Sequence, residues 1–140
     1  MDKVTVTRRL TFCAGHRLVG HDGGCAHIHG HNYVAEIEVS APYLDEVGRV
    51  VDFSVIKDKV GSWIDDNWDH AFLVNRLDDD LCQFLVVRRN RLWIFDGNPT
   101  AERMAEILME ISRALLPPMF TVESVTVWET ENCWATVKGG

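Results

Sequence analysis

Apolar residues recur at every second position in two stretches of this chain and at every third or fourth in two others. Val4, Val6, Leu10 and Phe12 fall on one face at period two, so residues 3–12 read as a strand. Tyr33, Ala35, Ile37 and Val39 repeat that alternation and predict a second strand, ended by a turn around Pro42. Between the two, residues 15–30 are rich in glycine and histidine and too irregular for regular structure. After Asp52-Phe53-Ser54, the stripe Ile56, Val60, Trp63 and Ile64 predicts a helix, with Ser54 placed to cap it. Residues 83–87 and 91–95 read as a short hairpin turned at Arg89-Asn90. Asn98-Pro99-Thr100 signals a helix start, proline suiting a first turn. Met104, Ile107, Leu108, Ile111 and Leu115 then supply a buried stripe until Pro117-Pro118 ends it. A last stretch of strand, residues 124–137, carries Val125 and Val127 before reaching Glu129. The order strand-strand-helix-hairpin-helix-strand-strand, its last two strands within residues 124–137, predicts one domain over residues 1–140 of class α+β: an antiparallel four-stranded sheet with two helices on one face.

Composition narrows the partners. A chain of 140 residues is long enough to bury a core of its own. Its formal net charge of −7 repels phosphate backbones and anionic membranes, so neither nucleic acid nor membrane is expected as a partner. An anionic small substrate stays open, because local arginine or metal charge overrides the global sign. No apolar run approaches the roughly 18 residues of a spanning helix, and the first residues alternate instead of forming a signal-peptide block. The expected location is cytoplasmic and the four cysteines are expected reduced. Cys13, Cys82 and Cys133 sit in strand-like, mostly apolar settings and read as structural.

The chemistry concentrates in the glycine-rich stretch. Five of the six histidines lie between positions 16 and 31. His29 and His31 are in phase with Tyr33, Ala35 and Ile37, and on a strand such residues point to one face about 7 Å apart. Gly30 between them leaves room for close approach. His16, at the end of the first strand, can supply a third nitrogen, and three imidazoles with an open fourth position is the layout of a catalytic zinc. His21 and His27 remain rivals on spacing alone. Cys25 lies in the flexible Gly23-Gly24-Cys25 loop, where a thiol near a histidine or cation becomes a usable thiolate. It also suits a fourth zinc ligand, which would close the site.

Taken in order, the motifs are Phe12-Cys-Ala-Gly-His16-Arg-Leu, Cys25-Ala-His-Ile-His29-Gly-His31-Asn-Tyr, Val51-Asp-Phe, Trp68-Asp69-His70, Asn98-Pro-Thr-Ala-Glu102 and Trp128-Glu129-Thr130. Through nearly its whole length the chain resembles the 6-pyruvoyl-tetrahydropterin synthase / 6-carboxy-5,6,7,8-tetrahydropterin synthase family. The resemblance implies the tunnelling fold, with subunits joining into a β-barrel trimer that stacks into a hexamer. It implies Zn2+ on His16, His29 and His31 in preference to His27, and Cys25 as the proton-abstracting thiolate. Asp69 and His70 would form a relay beside it, with Glu129 anchoring the pterin ring. The zinc histidines and Glu129 could meet across a subunit interface, with His70 contributed from either chain.

The implied substrate is 7,8-dihydroneopterin triphosphate. The Cys25-x-x-x-His29 spacing looks like the carboxy type, which releases triphosphate and acetaldehyde on the way to queuosine and other deazapurines. The pyruvoyl type, which eliminates triphosphate only, is the nearest alternative. A non-catalytic pterin-binding module and a zinc hydrolase are the others, the hydrolase needing a carboxylate near the metal. Three features depart from the family pattern. The segment from Asn75 to Gly97 is long and carries Arg88, Arg89 and Arg91; position 13 is Cys where Ser or Glu is more familiar; and Glu-Asn-Cys-Trp follows Thr130.

Overall fold

The computed structural model describes residues 2–20, 23 and 26–140. Strand β1 (Val6–His16) and strand β2 (His29–Ser40) pair antiparallel along their whole length, from Val6 opposite Val39 to His16 opposite His29. Both run further than their alternation announces, taking residues 15, 16, 29 and 30 out of the expected loop and into the sheet. Leu10, Phe12 and Ala14 of β1 and Tyr33, Ala35, Ile37 and Val39 of β2 all turn to the buried face.

Helix α1 follows as Phe53–Ile56, a π-helical turn Lys57–Gly61 and Ser62–Asn67 without a break. Its cap is Asp52 and not Ser54: the Asp52 carboxylate accepts from the Ser54 N–H at 2.9 Å. Strand β3 (Ala71–Asn75), helix α2 (Asp79–Val87), strand β4 (Leu92–Phe95) and helix α3 (Ala101–Leu115) come next. Thr100 caps α3 by accepting from the Arg103 N–H at 3.2 Å, so Pro99 lies before the cap and outside the first turn. The strand pair expected at the end of the chain, over residues 124–137, is β5 (Thr121–Thr130) and β6 (Cys133–Lys138), folded into a hairpin about residues 131–132.

The α+β class holds, but the sheet is mixed and has six strands in the order β4-β3-β1-β2-β5-β6. The expected antiparallel four are β1, β2, β5 and β6; β3 and β4 add on parallel to β1 and to each other. Parallel neighbours cannot be joined by a tight turn. The expected hairpin at 83–95 is therefore a β3-α2-β4 crossover. Asp79 and Asp80 favour the positive end of α2, while Leu81 and Leu85, four apart, bury against Val74. Helices α1 and α3 cover one face of the sheet as expected, with Ile56, Val60, Ile64, Met104 and Leu108 in the core beside Val125 and Val127. Helix α2 is a third, with its own small cluster. The sheet of one chain is open, ending at β4 and β6 among the described residues, and the barrel is not a property of the single chain.

Candidate functional site

Register brings the histidines together. His16 and His29 are direct cross-strand partners, and His31 sits one residue pair along on the same face. Ring centroids stand 4.6 Å apart for His16 and His29, 5.2 Å for His16 and His31, and 4.8 Å for His29 and His31. One ligand nitrogen from each lies within 4.8 Å of the others. The close strand approach depends on glycine: a Cβ at Gly30 would meet the Ala14 carbonyl oxygen at 3.1 Å, and one at Gly15 would meet Phe72 at 2.6 Å.

Two backbone carbonyls fix the ring orientations. His16 Nδ1 donates to the Pro99 carbonyl at 2.8 Å, and His29 Nδ1 donates to the His27 carbonyl at 2.7 Å. In the neutral rings both Nε2 atoms then carry lone pairs, yet they face each other at 3.0 Å. Burial, aided by His29 and His31, outweighs the Pro99 carbonyl and Glu129 and holds the His16 imidazole below the usual histidine range. Burial does the same to His31, against the pull of Glu129. His31 Nε2 is buried without a hydrogen bond. Inward-facing lone pairs on rings biased to the neutral form are what a bound cation satisfies, and imidazole nitrogen suits zinc and its neighbours in the first transition row. The three histidines fit a metal. His27 faces solvent and enters only through its backbone.

Glu129 lies in phase with Val125 and Val127 on β5, and so on the same face. Its Oε1 is 3.4 Å from His16 Nε2 and 3.5 Å from His31 Nε2. One chain thus joins Glu129 to the histidines without the subunit interface expected for that meeting. It also supplies the carboxylate that a hydrolytic reading lacked. Cys25 lies outside the described residues.

Asp69 and His70 form a second group. The Asp69 carboxylate meets His70 Nδ1 at 3.1 Å and accepts the Cys13 N–H at 3.0 Å, while the His70 N–H donates to the Cys13 carbonyl at 2.7 Å. These bonds hold His70 at φ 60°, a left-handed conformation rare outside glycine. Partial burial works against the Asp69 charge, but the Cys13 and His70 bonds together outweigh it and keep the carboxyl below the usual carboxylate range. Cys13 is thus no inert strand residue. Its thiol lies 3.6 Å from His70 Nε2, 3.8 Å from Nδ1 and 3.7 Å from Asp69 Oδ1. Alternation along β1 puts Cys13 on the face opposite His16. The chain therefore does not bring the Asp69-His70 pair to the histidine cluster, but sets the two on opposite faces of one sheet. Cys13, Gly15, His70, Phe72 and Arg91 bound a cavity of about 550 Å³, whose lining also includes His29, Gly30 and His31. Of the other cysteines read as structural, Cys82 is half-buried on α2 and not on a strand, and Cys133 is exposed on β6.

Next to His16, Arg17 makes a bidentate pair with buried Asp78, Nε to Oδ2 at 2.6 Å and Nη2 to Oδ1 at 2.5 Å. The pair ties the end of β1 to the start of α2, and the Arg17 hydrogen bonds hold the Asp78 carboxyl below its usual range. Its stabilisation is full above the unfolded-state value of about 3.9 and is lost as pH falls through the lower folded value. Asp78→Asn is expected to cost about 2 kcal/mol at pH 7 and progressively less below about pH 4. Urea unfolding at pH 7 and pH 3 checks this, and an equal cost at both would show that the carboxylate charge is not what matters.

A six-stranded mixed sheet covered by helices is the fold that this chain shares with solved pterin synthases. Residues 5–140 match the family model described as 6-pyruvoyl tetrahydropterin synthase, and the chain belongs to that family. It is 36% identical to the 6-carboxy-5,6,7,8-tetrahydropterin synthase of Rickettsia bellii over 140 residues, covering 96% of this chain and 99% of that one. The structure of Caenorhabditis elegans 6-pyruvoyl tetrahydropterin synthase superposes with a TM-score of 0.70 at 27% identity, covering 100% of this chain and 98% of that one. An uncharacterized protein from Wolinella succinogenes shares the fold more closely, with a TM-score of 0.87 at 21% identity and 100% of both chains covered. Among the described residues no helix is long and apolar enough to cross a membrane.

Proposed function

We propose that this chain is a zinc-dependent 6-carboxy-5,6,7,8-tetrahydropterin synthase, converting 7,8-dihydroneopterin triphosphate with loss of triphosphate and acetaldehyde. The observation that carries the reading is the 36% identity to a carboxy-type relative across nearly the full length of both chains. In this reading His16, His29 and His31 hold the zinc. When bound, the metal supplies Lewis acidity toward the substrate's side-chain oxygens. Cys25 takes the proton from the side-chain carbon. The Glu129 carboxylate accepts the paired N–H donors of the aminopyrimidinone edge, holding the ring beside the histidines. Asp69 orients the His70 imidazole through Nδ1 and leaves Nε2 to exchange a proton with the substrate or with Cys25.

Because Asp69 and His70 lie on the far sheet face from the histidines, this reading needs two copies to complete one site. Homo-oligomers, as trimer or hexamer, follow from it, and the open edges β4 and β6 are where chains could join. The test is to incubate zinc-loaded protein with dihydroneopterin triphosphate and identify products by mass spectrometry. The expected products are 6-carboxytetrahydropterin, triphosphate and acetaldehyde. Pyruvoyltetrahydropterin without acetaldehyde would place the chain with the pyruvoyl type, and unchanged substrate would leave a pterin-binding module.

A further inference from the structure

Cys13 has no part in the function proposed above, yet no other described cysteine has such surroundings. Its thiol touches the imidazole of His70 and the carboxylate of Asp69, and the three offer ligand-type atoms within 4.8 Å of one another. The carboxylate fixes the imidazole through Nδ1, the imidazole stands beside the sulfur, and the group borders a cavity of about 550 Å³. A thiol, a base within reach and a third group orienting the base is the arrangement that activates a nucleophile.

We propose that Cys13, Asp69 and His70 form a nucleophilic triad that makes Cys13 a covalent site for soft carbon electrophiles, such as α-halo and α,β-unsaturated carbonyl compounds small enough for that cavity. The sulfur gives its proton to His70 Nε2 as its electron pair forms the C–S bond. With an α-halo carbonyl the carbon–halogen pair leaves as halide and the proton passes from His70 to water. With an α,β-unsaturated carbonyl the π electrons move to the carbonyl oxygen as an enolate, which takes the proton back. Neither route needs another reactant.

Exposure alone predicts the opposite order of reactivity, since Cys13 is half-buried and Cys133 is exposed. That contrast makes the site testable without any pterin assay. The purified protein is treated with limiting iodoacetamide under non-denaturing conditions, digested with trypsin and followed by mass spectrometry. Cleavage after arginine and lysine places each of the four cysteines in a separate peptide, Cys13 in residues 10–17. Cys13 is expected to alkylate about tenfold or more faster than Cys133. His70→Asn, chosen because asparagine tolerates the left-handed backbone, is expected to bring the Cys13 rate down to or below that of Cys133 while leaving the Cys133 rate unchanged. Asp69→Asn is expected to give an intermediate rate. A Cys13 rate below that of Cys133 in the native protein would overturn the proposal, as would one that His70→Asn leaves unchanged. The pterin reading stands or falls separately, on its products.

Discussion

The protein is expected to carry about one zinc per chain, and alanine in place of His29 or His31 is expected to strip it. Apparent zinc-binding free energies of about 10–16 kcal/mol, shared over three or four ligands, assign roughly 3–4 kcal/mol to each. Losing one then weakens binding by about two to three orders of magnitude. Dialysis followed by elemental analysis reads the result directly. His27→Ala is the control, because His27 meets the cluster only through the carbonyl that accepts from His29, and that carbonyl survives the substitution. Metal retained in His16→Ala and lost in His27→Ala would refute the ligand set.

Cys25→Ala is expected to keep its zinc and its fold while turnover falls about 10²- to 10⁴-fold, the contribution of a positioned acid–base group. Product formation and metal content are measured on the same sample. Loss of zinc in this variant would make Cys25 a ligand, and undiminished turnover would remove it from the chemistry. Taken with the alkylation experiment, the outcome tests separately the two roles proposed for the thiols, Cys25 in proton abstraction and Cys13 in covalent capture.

The antiparallel half of the fold is legible in the sequence because one face of each strand is buried and the other is not. Tyr33, Ala35, Ile37 and Val39 are all fully buried between less buried neighbours, and His29 and His31 continue that phase. The parallel half is hidden. Strand β3 is buried nearly throughout and β4 has four residues, so neither has room to alternate. With β3 unread, residues 83–87 read as the partner strand of 91–95; they are the end of a helix, while 92–95 are the strand β4. At the site, local spacing carries the histidine cluster but not its surroundings. The Asp69 and Cys13 contact spans 56 positions, and Pro99 reaches His16 across 83. Such contacts leave no periodic trace, and an Asp-His pair read in isolation is only a polar turn.

The two carbonyls that orient His16 and His29 set what kind of sequence change the cluster can survive. A carbonyl belongs to every residue, so positions 27 and 99 can exchange side chains over generations without loosening either imidazole. An inserted or deleted residue is another matter, because it would shift which carbonyl faces which ring. Drift in this lineage should therefore run to substitutions at these two positions, while the lengths of the adjoining segments, from His27 to His29 and from Phe95 to Thr100, are held fixed.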